Sequence, residues 1–243
     1  MARRRRYRLS LSLSAPRTEL RVGRGRIFPR KFNAPNPNDT PKSLFALDTA
    51  ESAIPPVDRF IRRNGENNQF LIYTDGACLD NGGANPRGGC CFVYKGSGRN
   101  SQSRGYASFA LEKQGPTGTE HRHTSNRAEL RAVIAATRFR HWVGEGCRSL
   151  VIATDSEYVV RGITTRVKRW VRNGWMTQAG TSVKNQDLWL CLLGEVERWH
   201  EQGMRIEFWR IPRKLNKKAD RHAKEAAHKP NFDHFRDIAG VLV

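Results

Sequence analysis

The sequence predicts an α/β domain built on a β-sheet of mixed direction. Short runs of apolar and β-branched residues are bounded by turn-forming clusters, as in FLIYTD before the cluster DNGGANPRGG. These runs alternate along the chain with longer segments of helical periodicity. Three strands come first, followed by a helix, a strand, more helices, a last strand and a last helix. This order of elements is typical of a mixed sheet covered by helices.

The regular elements begin near residue 67. Apolar runs predict strands at 70–74, 88–94 and 104–110, and a helix follows from about Asn126 to Trp142. A strand at 149–154 precedes helical segments around 156–173 and 186–201. The segment MRIEFW predicts a strand at 204–209, and a final helix extends from about Asn216 to Ala227. The chain has no internal repeat and no glycine-rich phosphate-binding loop.

The first 66 residues differ in composition from the rest of the chain. Residues 1–32 contain ten Arg and one Lys against a single Glu, and the stretch NAPNPNDTPKS has almost no periodicity. We therefore expect a basic, largely disordered region at 1–66, a folded domain at 67–229 and a C-terminal tail at 230–243. The Arg- and Ser-rich start is typical of a mitochondrial transit peptide. It also suits a nuclear signal, a nucleic-acid-binding arm or a merely solvating tail.

The charge of the chain indicates a polyanionic partner. The formal net charge is +20 and the pI is about 10.6, and nucleic acid is the commonest partner of such proteins. A ribosomal protein or a surface that meets anionic lipid would have a similar charge. Five cysteines without a CxxC pair indicate neither a disulfide framework nor a zinc site. We expect an intracellular protein, because such cysteines fit a reducing compartment, and the basic start leaves the nucleus and the mitochondrion both open. No apolar run approaches the ~20 residues of a membrane span.

Four acidic residues stand at the edges of predicted elements, beside apolar residues. They are Asp75 after FLIYT, Glu129 in TSNRAELRAVIAA, Asp155 after LVIAT and Asp220 in NKKADRHAKEAA. Each has a structural alternative. Asp75 could cap a turn, and Glu129 could be a favourable charge at a helix N-terminus. Asp155 could be the N-cap of the next helix, and Asp220 could lie on a solvated helix face. A cluster of such carboxylates is stable with hard divalent cations, so together the four predict a site for Mg²⁺ or Mn²⁺.

Six segments in this order resemble the ribonuclease H family: YTDGAC, TSNRAEL, ATDSEYVVRGI, NGWMT, VKNQDLW and KKADRHAKEAA. The resemblance covers roughly residues 67–229, which makes this the catalytic domain, and leaves the first 66 unmatched. It implies an RNase H-like mixed five-stranded sheet flanked by helices, with two metal ions bound at one edge. By position, Asp75 matches the acid that bridges both ions. Glu129 and Asp155 match the acids that hold one ion, and Asp220 matches the acid that completes the other site.

The resemblance also implies the reaction. We expect an endoribonuclease that cleaves the RNA strand of RNA–DNA hybrids and leaves 5′-phosphate and 3′-hydroxyl ends. In two-metal hydrolysis one ion activates a water and the other stabilises the leaving oxygen. Mg²⁺ is the expected cofactor, with Mn²⁺ as an alternative, and the protein is expected to be a monomer.

Three other functions share parts of this pattern. A non-catalytic nucleic-acid-binding protein on the same fold would not need all four acids. The spacing of TDG and TDS and the presence of a basic protrusion both argue against a related 3′–5′ exonuclease. A segment of a retroelement polyprotein would keep the chemistry, but the starting methionine and the long basic N-terminal region weaken this alternative.

Further matches of the resemblance concern the substrate. Arg122, Thr124 and Asn185 match residues that hold a phosphate of the DNA strand, while Asn81 and Asn126 match residues that touch riboses or bases. Contacts to 2′-hydroxyls distinguish RNA from DNA. The structural alternatives are a helix cap for Thr124 and a turn for Asn81.

The segment TTRVKRWVRNGWMT resembles the basic protrusion by which cellular members of the family hold the duplex. It interleaves basic and aromatic residues: Arg166, Lys168, Arg169 and Arg172 with Trp170 and Trp175. Basic side chains meet phosphates, and aromatic faces pack against sugars. The alternative is a helix whose tryptophans are ordinary core residues below a solvated charged face.

One departure from the family pattern lies before the last acid. Many members have a flexible loop with a histidine there, whereas WRIPRKLNKKAD is shorter and has none. His222 lies two positions after Asp220 and points away around the helix, so it is a poor substitute. We expect an active but slower enzyme.

Overall fold

The computed structural model describes residues 20–63, 65, 68–96 and 105–240, which form one mixed sheet of eight strands with helices packed on it. The strands are β1 (Arg30–Lys31), β2 (Phe45–Ala50), β3 (Val57–Arg62), β4 (Gln69–Leu79), β5 (Arg87–Val93), β6 (Tyr106–Ala110), β7 (Ser149–Thr154) and β8 (Arg205–Arg210). The α-helices are α1 (Pro41–Leu44), α2 (Ser125–Arg138), α3 (Glu157–Arg161), α4 (Val167–Arg172), α5 (Gln186–Glu201) and α6 (Lys217–Ala226). A π-helical turn at Gly162–Arg166 joins α3 to α4, and 3₁₀ turns lie at Trp142–Glu145 and Arg213–Leu215.

Strand β4 is the centre of the sheet. It pairs in parallel with β7, which pairs in parallel with β8, and β1 adds to the outer side of β8. On its other side β4 has two antiparallel partners in succession. β3 pairs with residues 70–71 and β5 with residues 73–79. β2 and β6 extend these two branches.

The α/β fold with a mixed sheet is confirmed, and each strand and helix predicted beyond residue 67 is present. Some bounds differ. β4 continues to Leu79 rather than ending near 74, because β5 pairs with it along this extension. The helix predicted to reach Trp142 ends at Arg138, and a 3₁₀ turn follows.

The parallel strand β7 is buried on both faces, which explains its continuous apolar sequence. Leu150 and Ile152 of β7 face a core that α2 and α5 complete. Val151 and Ala153, the alternate residues, face the opposite side together with Trp209 of β8. A side-chain period of two therefore divides SLVIAT between two separate cores.

The N-terminal region covers this second face, in contrast to the prediction for residues 1–66. Phe32, Leu44 and Phe45 pack against the sheet there, and β1, β2 and β3 are hydrogen-bonded parts of it. The segment contributes only a few apolar side chains between long irregular stretches, so its sequence has no periodicity that would reveal it. Residues 1–19 lie outside the described part of the chain. The five-stranded sheet expected from the resemblance is thus extended by these three strands.

The C-terminal tail forms no helix or strand between residues 230 and 240, yet it packs on the domain. The amide of Lys113 donates to the carbonyl of Phe232, at 2.9 Å, and that of Gly240 donates to Phe139, at 2.8 Å. Asp237 accepts a hydrogen bond from Arg138, at 2.6 Å. Over the described residues, no helix is long and apolar enough to cross a membrane.

The packing of the N-terminal region leads to a test on one strand. Phe45 is 3% exposed and Leu47, on the same strand, is 44% exposed. Phe45→Ala should lower the free energy of unfolding by about 3–5 kcal/mol, because it removes a buried aromatic ring from the second core. Leu47→Ala is the matched control and should stay within about 0.5 kcal/mol. Urea unfolding measures both, and equal small effects would mean that residues 30–62 are not an integral part of the fold.

Candidate active site

Asp75 lies on β4 where the parallel pairing with β7 has already ended. The last parallel pair joins Tyr73 to Ala153, so the strands diverge just before Asp75. Its side chain is buried, and its Oδ1 accepts a hydrogen bond from the amide of Gly76, at 2.8 Å. Diverging strands leave an opening at this edge of the sheet, and Asp75 faces that opening from a rigid central strand.

Two glycines allow helices to approach the sheet closely enough to bring further acids to this edge. A Cβ atom on Gly76 would lie 2.1 Å from the backbone nitrogen of Glu129 on α2. A Cβ atom on Gly89 of β5 would lie 2.2 Å from the carbonyl oxygen of Ala223 on α6, the helix that carries Asp220. Any larger residue at either position would push its helix, and the acid on it, away from Asp75.

Asp155 directly follows β7 and does not cap the next helix. Ser156 is the N-cap of α3, and its hydroxyl accepts a hydrogen bond from the amide of Val159, at 3.1 Å. The same hydroxyl donates to Glu129 Oε2, at 2.5 Å, and thereby orients a second acid. The structural alternative for Asp155 is therefore wrong, and its carboxylate faces the opening.

Asn216, which the sequence indicates only as a helix start, connects three elements of the site. Its side chain is buried, with 1% exposed, and Nδ2 donates to Asp155 Oδ1 at 2.7 Å and to the carbonyl of Thr74 at 3.0 Å. The amide thus ties the start of α6 to the ends of β4 and β7. No pattern in the sequence could identify this role, because it depends on a contact between residues far apart in the chain.

Asp220 is held by two cations. Arg213 Nη2 donates to Oδ1 and Lys224 Nζ donates to Oδ2, both at 2.7 Å. Burial pushes the pKa of Asp220 upward, but the hydrogen bonds and charges of Lys224 and Arg213 outweigh it, so the pKa lies below its ordinary value. Arg213 belongs to the shortened loop, and its charge also acts to lower the pKa of Glu129.

The four acids are close enough to influence one another. Burial raises the pKa of Asp75 to about 8, and the charges of Asp155, Glu129 and Asp220 act in the same direction. Burial likewise raises the pKa of Glu129 to about 7, with the charge of Asp155 adding to the effect against the hydrogen bond from Ser156. The structure thus brings together the acids that the sequence predicts.

The donor set fits a hard divalent cation, since carboxylate oxygens are the ligands that such cations prefer. Over the described ranges, however, no three His, Cys, Asp or Glu side chains are arranged as a metal site. In this arrangement Ser156, Asn216 and the two cations each engage a carboxylate oxygen. Each of these oxygens has a second lone pair, so it can accept the hydrogen bond and also ligate a cation. The roles of the four acids as metal ligands stay predictions.

The predicted substrate residues form a surface at the start of α2. The side chain of Asn81 approaches the amide of Ser125, at 3.4 Å, and Arg122 donates to the carbonyls of Gly82 and Gly83. Thr124 is the N-cap of α2, so its structural alternative is correct, although its hydroxyl can still donate. Asn126 is exposed on the first turn of the helix.

Asn185 joins this surface through a buried pair that the sequence does not reveal. Arg127 donates to both oxygens of Asp187, at 3.0 and 2.6 Å, and its Nη1 lies 3.4 Å from Asn185 Oδ1. Asn185 Nδ2 donates to the hydroxyl of Tyr158, at 3.1 Å. The pair therefore fixes Asn185 at the start of α5 relative to Thr124 at the start of α2. Binding of substrate by these residues stays a prediction.

The two tryptophans of the basic segment are half-buried. The ring of Trp170 packs against Trp189 of the core, with centroids 5.4 Å apart, and against Trp175, at 6.3 Å. The four basic residues around them are exposed. The alternative is confirmed in part, because the tryptophans attach a charged helix to the core. Binding of a duplex by this segment stays a prediction.

His222 is engaged away from the acids, as its position on the helix predicts. Its ring stacks on Tyr106, with centroids 3.7 Å apart, and Nδ1 lies 2.7 Å from Glu225 Oε2. It therefore does not replace the histidine that the shortened loop lacks.

The sequence of the chain matches a known family over the part that carries these acids. The family model for RNase H matches residues 67–228. The chain belongs to the ribonuclease H family. It is 39% identical to a ribonuclease H of Treponema pallidum over 51% of this chain and 70% of that protein. It is 33% identical to ribonuclease HI of Haemophilus influenzae over 68% of this chain and 94% of that protein.

Among solved structures, the chain is similar to LC9-RNase H1, a type 1 RNase H with the type 2 active-site motif. The identity is 27% over 66% of this chain and 72% of that one, with a TM-score of 0.45. Membership of the ribonuclease H family makes the protein a hydrolase, and enzymes of this family generally depend on divalent metal ions. The residues that supply β1, β2 and β3 lie outside the match.

The raised pKa of Asp75 predicts a pH-dependent stability of the metal-free protein. Native Asp75 keeps its proton where unfolded Asp75 has lost it, so its contribution is lost as pH rises from about 4 to about 8. Asp75→Asn should therefore reduce the loss of unfolding free energy between about pH 5 and about pH 9. The reduction should exceed about 1 kcal/mol, the equivalent of one pKa unit. Urea unfolding with a chelator measures it, and the exposed Asp48→Asn is the control. Parallel pH profiles for all three proteins would contradict the prediction.

Proposed function

We propose that the protein is an endoribonuclease that hydrolyses the RNA strand of RNA–DNA hybrids and leaves 5′-phosphate and 3′-hydroxyl ends. One observation carries the proposal, which is the gathering of Asp75, Glu129, Asp155 and Asp220 at one edge of the sheet in a protein of net charge +20. Such an arrangement is unfavourable for a protein that only binds nucleic acid, because a local cluster of negative charge repels phosphate. Its purpose is better explained by chemistry on a phosphodiester.

We infer that the four carboxylates hold two Mg²⁺ ions, with Mn²⁺ as an alternative. When bound, these ions supply activation of the attacking water and stabilisation of the leaving 3′ oxygen. The raised pKa values of Asp75 and Glu129 support the inference, since a bound cation would relieve the repulsion that burial aggravates.

The residues around the acids have positioning roles in this proposal. Ser156 orients Glu129, and Asn216 orients Asp155, each through a hydrogen bond of 2.7 Å or less. Arg213 and Lys224 keep Asp220 ionised and aligned. Arg213 is 69% exposed at its side chain, so it is also available to attract a phosphate toward the acids.

The surface at the starts of α2 and α5 is the proposed contact to the DNA strand. Arg122 supplies charge, and Thr124 and Asn185 supply polar groups held in place by Arg127. Amides of the first helical turn add donors that favour an anion. A contact of this kind selects the orientation of the hybrid and places the other strand over the acids.

A direct assay tests the proposal. The purified protein is incubated with an RNA–DNA hybrid, with duplex RNA and with duplex DNA, each with Mg²⁺ or with a chelator. We expect cleavage of the RNA strand of the hybrid alone, and only with the metal. A hybrid with blocked RNA ends distinguishes internal cleavage from exonuclease action, and treatment of the products with phosphatase identifies the 5′-phosphate. Cleavage of duplex DNA, or no cleavage of any substrate, would overturn the proposal.

Asp75→Asn and Asp220→Asn test the roles of the acids. Each should lower the single-turnover rate on the hybrid more than the 10–100-fold that is typical when only an outer-shell partner is lost. The affinity for the hybrid should be unchanged or higher, because a neutral amide repels phosphate less than a carboxylate does. Asp48→Asn, which removes an exposed acid from β2, should retain full activity. A rate within about tenfold of the wild type for Asp75→Asn would remove it from the site.

The stacking of His222 on Tyr106 leads to a further expectation. His222→Ala should change the single-turnover rate by less than about tenfold, because this ring is engaged by Tyr106 and Glu225. A positioned general base would contribute about 10²–10⁴ in rate. The rate is measured at saturating metal for the folded variant. A loss of more than about a hundredfold would show that His222 transfers a proton during catalysis.

A further inference from the structure

The first described residues of the chain pack along the outside of α5. This segment, residues 20–29, is called the strap here. The amide of Gly23 donates to the carbonyl of Leu190, at 2.9 Å, and two further strap amides donate to Glu197 at 2.9 and 3.0 Å. A Cβ atom on Gly23 would lie 2.3 Å from Leu193, so the contact with the helix is close. The strap is therefore fixed to the domain by its backbone.

The strap also reaches α4, the helix of the basic segment. A Cβ atom on Gly25 would lie 2.8 Å from a methyl group of Val171, so the backbone of the strap packs on this side chain of α4. Further along, the ammonium of Lys168 lies 5.8 Å from the centroid of the Phe28 ring. Val171 and Phe28 are both half-buried against the main core. These contacts make the strap and α4 adjacent parts of one surface.

Both elements present exposed basic side chains. On the strap these are Arg24 and Arg26, which flank Gly25 and whose amides, rather than their side chains, bind Glu197. On the neighbouring helical segment they are Arg166, Lys168, Arg169 and Arg172. In the described part of the chain, none of these six side chains forms an ion pair.

Buried arginines of the same protein are consistently paired. Arg59 binds Glu145, and Arg131 binds Glu112, each at 2.7 Å. The exposed residues of the strap and α4 differ from these, since six like charges lie on one surface and, among the described residues, no carboxylate forms an ion pair with any of them, although Glu197 lies beneath the strap and the charge of Arg26 reaches Glu201. Their mutual repulsion would be relieved by a polyanion that spans both elements.

We propose that the strap and α4 form one continuous surface for the phosphate backbone of a nucleic-acid duplex, with Arg24 and Arg26 as contacts outside the part that matches the family. The proposal deepens the proposed function, and it rests on that function for the identity of the duplex as an RNA–DNA hybrid. Each phosphate contact releases counterions, so the surface raises affinity and makes it depend on salt. It holds the hybrid without taking part in the chemistry.

The test compares the full chain with a double variant, Arg24→Ala with Arg26→Ala. Equilibrium binding of an RNA–DNA hybrid is measured with a chelator present over a range of salt concentrations. The variant should bind about 3- to 10-fold more weakly at about 0.1 M salt, and its slope of log affinity against log salt should be smaller by about 1–2, as expected for one or two lost phosphate contacts. The single-turnover rate at saturating hybrid should stay within about twofold of the wild type.

Two further variants keep the test decisive. Lys42→Ala with Arg63→Ala removes the same charge from exposed residues near α1, on the face of the sheet opposite α5, and should leave both affinity and slope unchanged. Arg24→Lys with Arg26→Lys keeps the charge and should retain the wild-type slope. If the alanine pair bound like the wild type, or if the lysine pair lost as much as the alanine pair, the strap would have no role in binding.

The binding measurements are independent of catalysis. A wild-type protein that binds the hybrid but does not cleave it would refute the proposed function, and the comparison of slopes would still decide the role of the strap. Normal cleavage with equal slopes for the wild type and the alanine pair would refute the strap surface and leave the proposed function in place.

Discussion

The burial of carboxylates of like charge at one edge of the sheet is the constraint on which the rest of the structure depends. Asp75 is placed there by the central strand, and its raised pKa records how unfavourable the position is without a cation. Nearby features either bring these acids together or compensate their negative charge. Gly76 and Gly89 let the helices approach, while Arg213 and Lys224 neutralise the acid nearest to solvent. Their presence together around Asp75 supports the proposal that this edge of the sheet is the active site.

The sequence predicted the parts of this site that depend on local patterns. Strands with continuous apolar residues, and acids directly after them, are visible without any structure, and the acids do converge as expected. Contacts between residues far apart in the chain could not be predicted from the sequence. Asn216 joins Asp155 to Thr74, and Arg127 fixes Asn185, yet neither residue differs in sequence from an ordinary helix start or an exposed helical arginine.

The N-terminal region shows a second limit of sequence patterns. A strand buried on both faces requires a cover on each, and the helices beyond residue 67 leave part of one face open. Phe32, Leu44 and Phe45 fill it from a region whose composition is otherwise that of a disordered chain. The sequence feature that could have revealed this cover is the continuous apolar run of β7, not the N-terminal region itself. All six of its residues are buried, which demands a partner for the second face.

The two successive partners of β4 differ in how firmly they are attached to it. The hairpin of β2 and β3 has six residue pairs of its own, but only Phe60 and Ile61 pair with β4. β5 pairs with seven residues of the same strand, including Asp75. The hairpin is therefore joined to β4 by a short ladder, and it can detach by breaking it. Its amide protons should exchange with solvent through this local opening, while the strand that carries Asp75 remains protected.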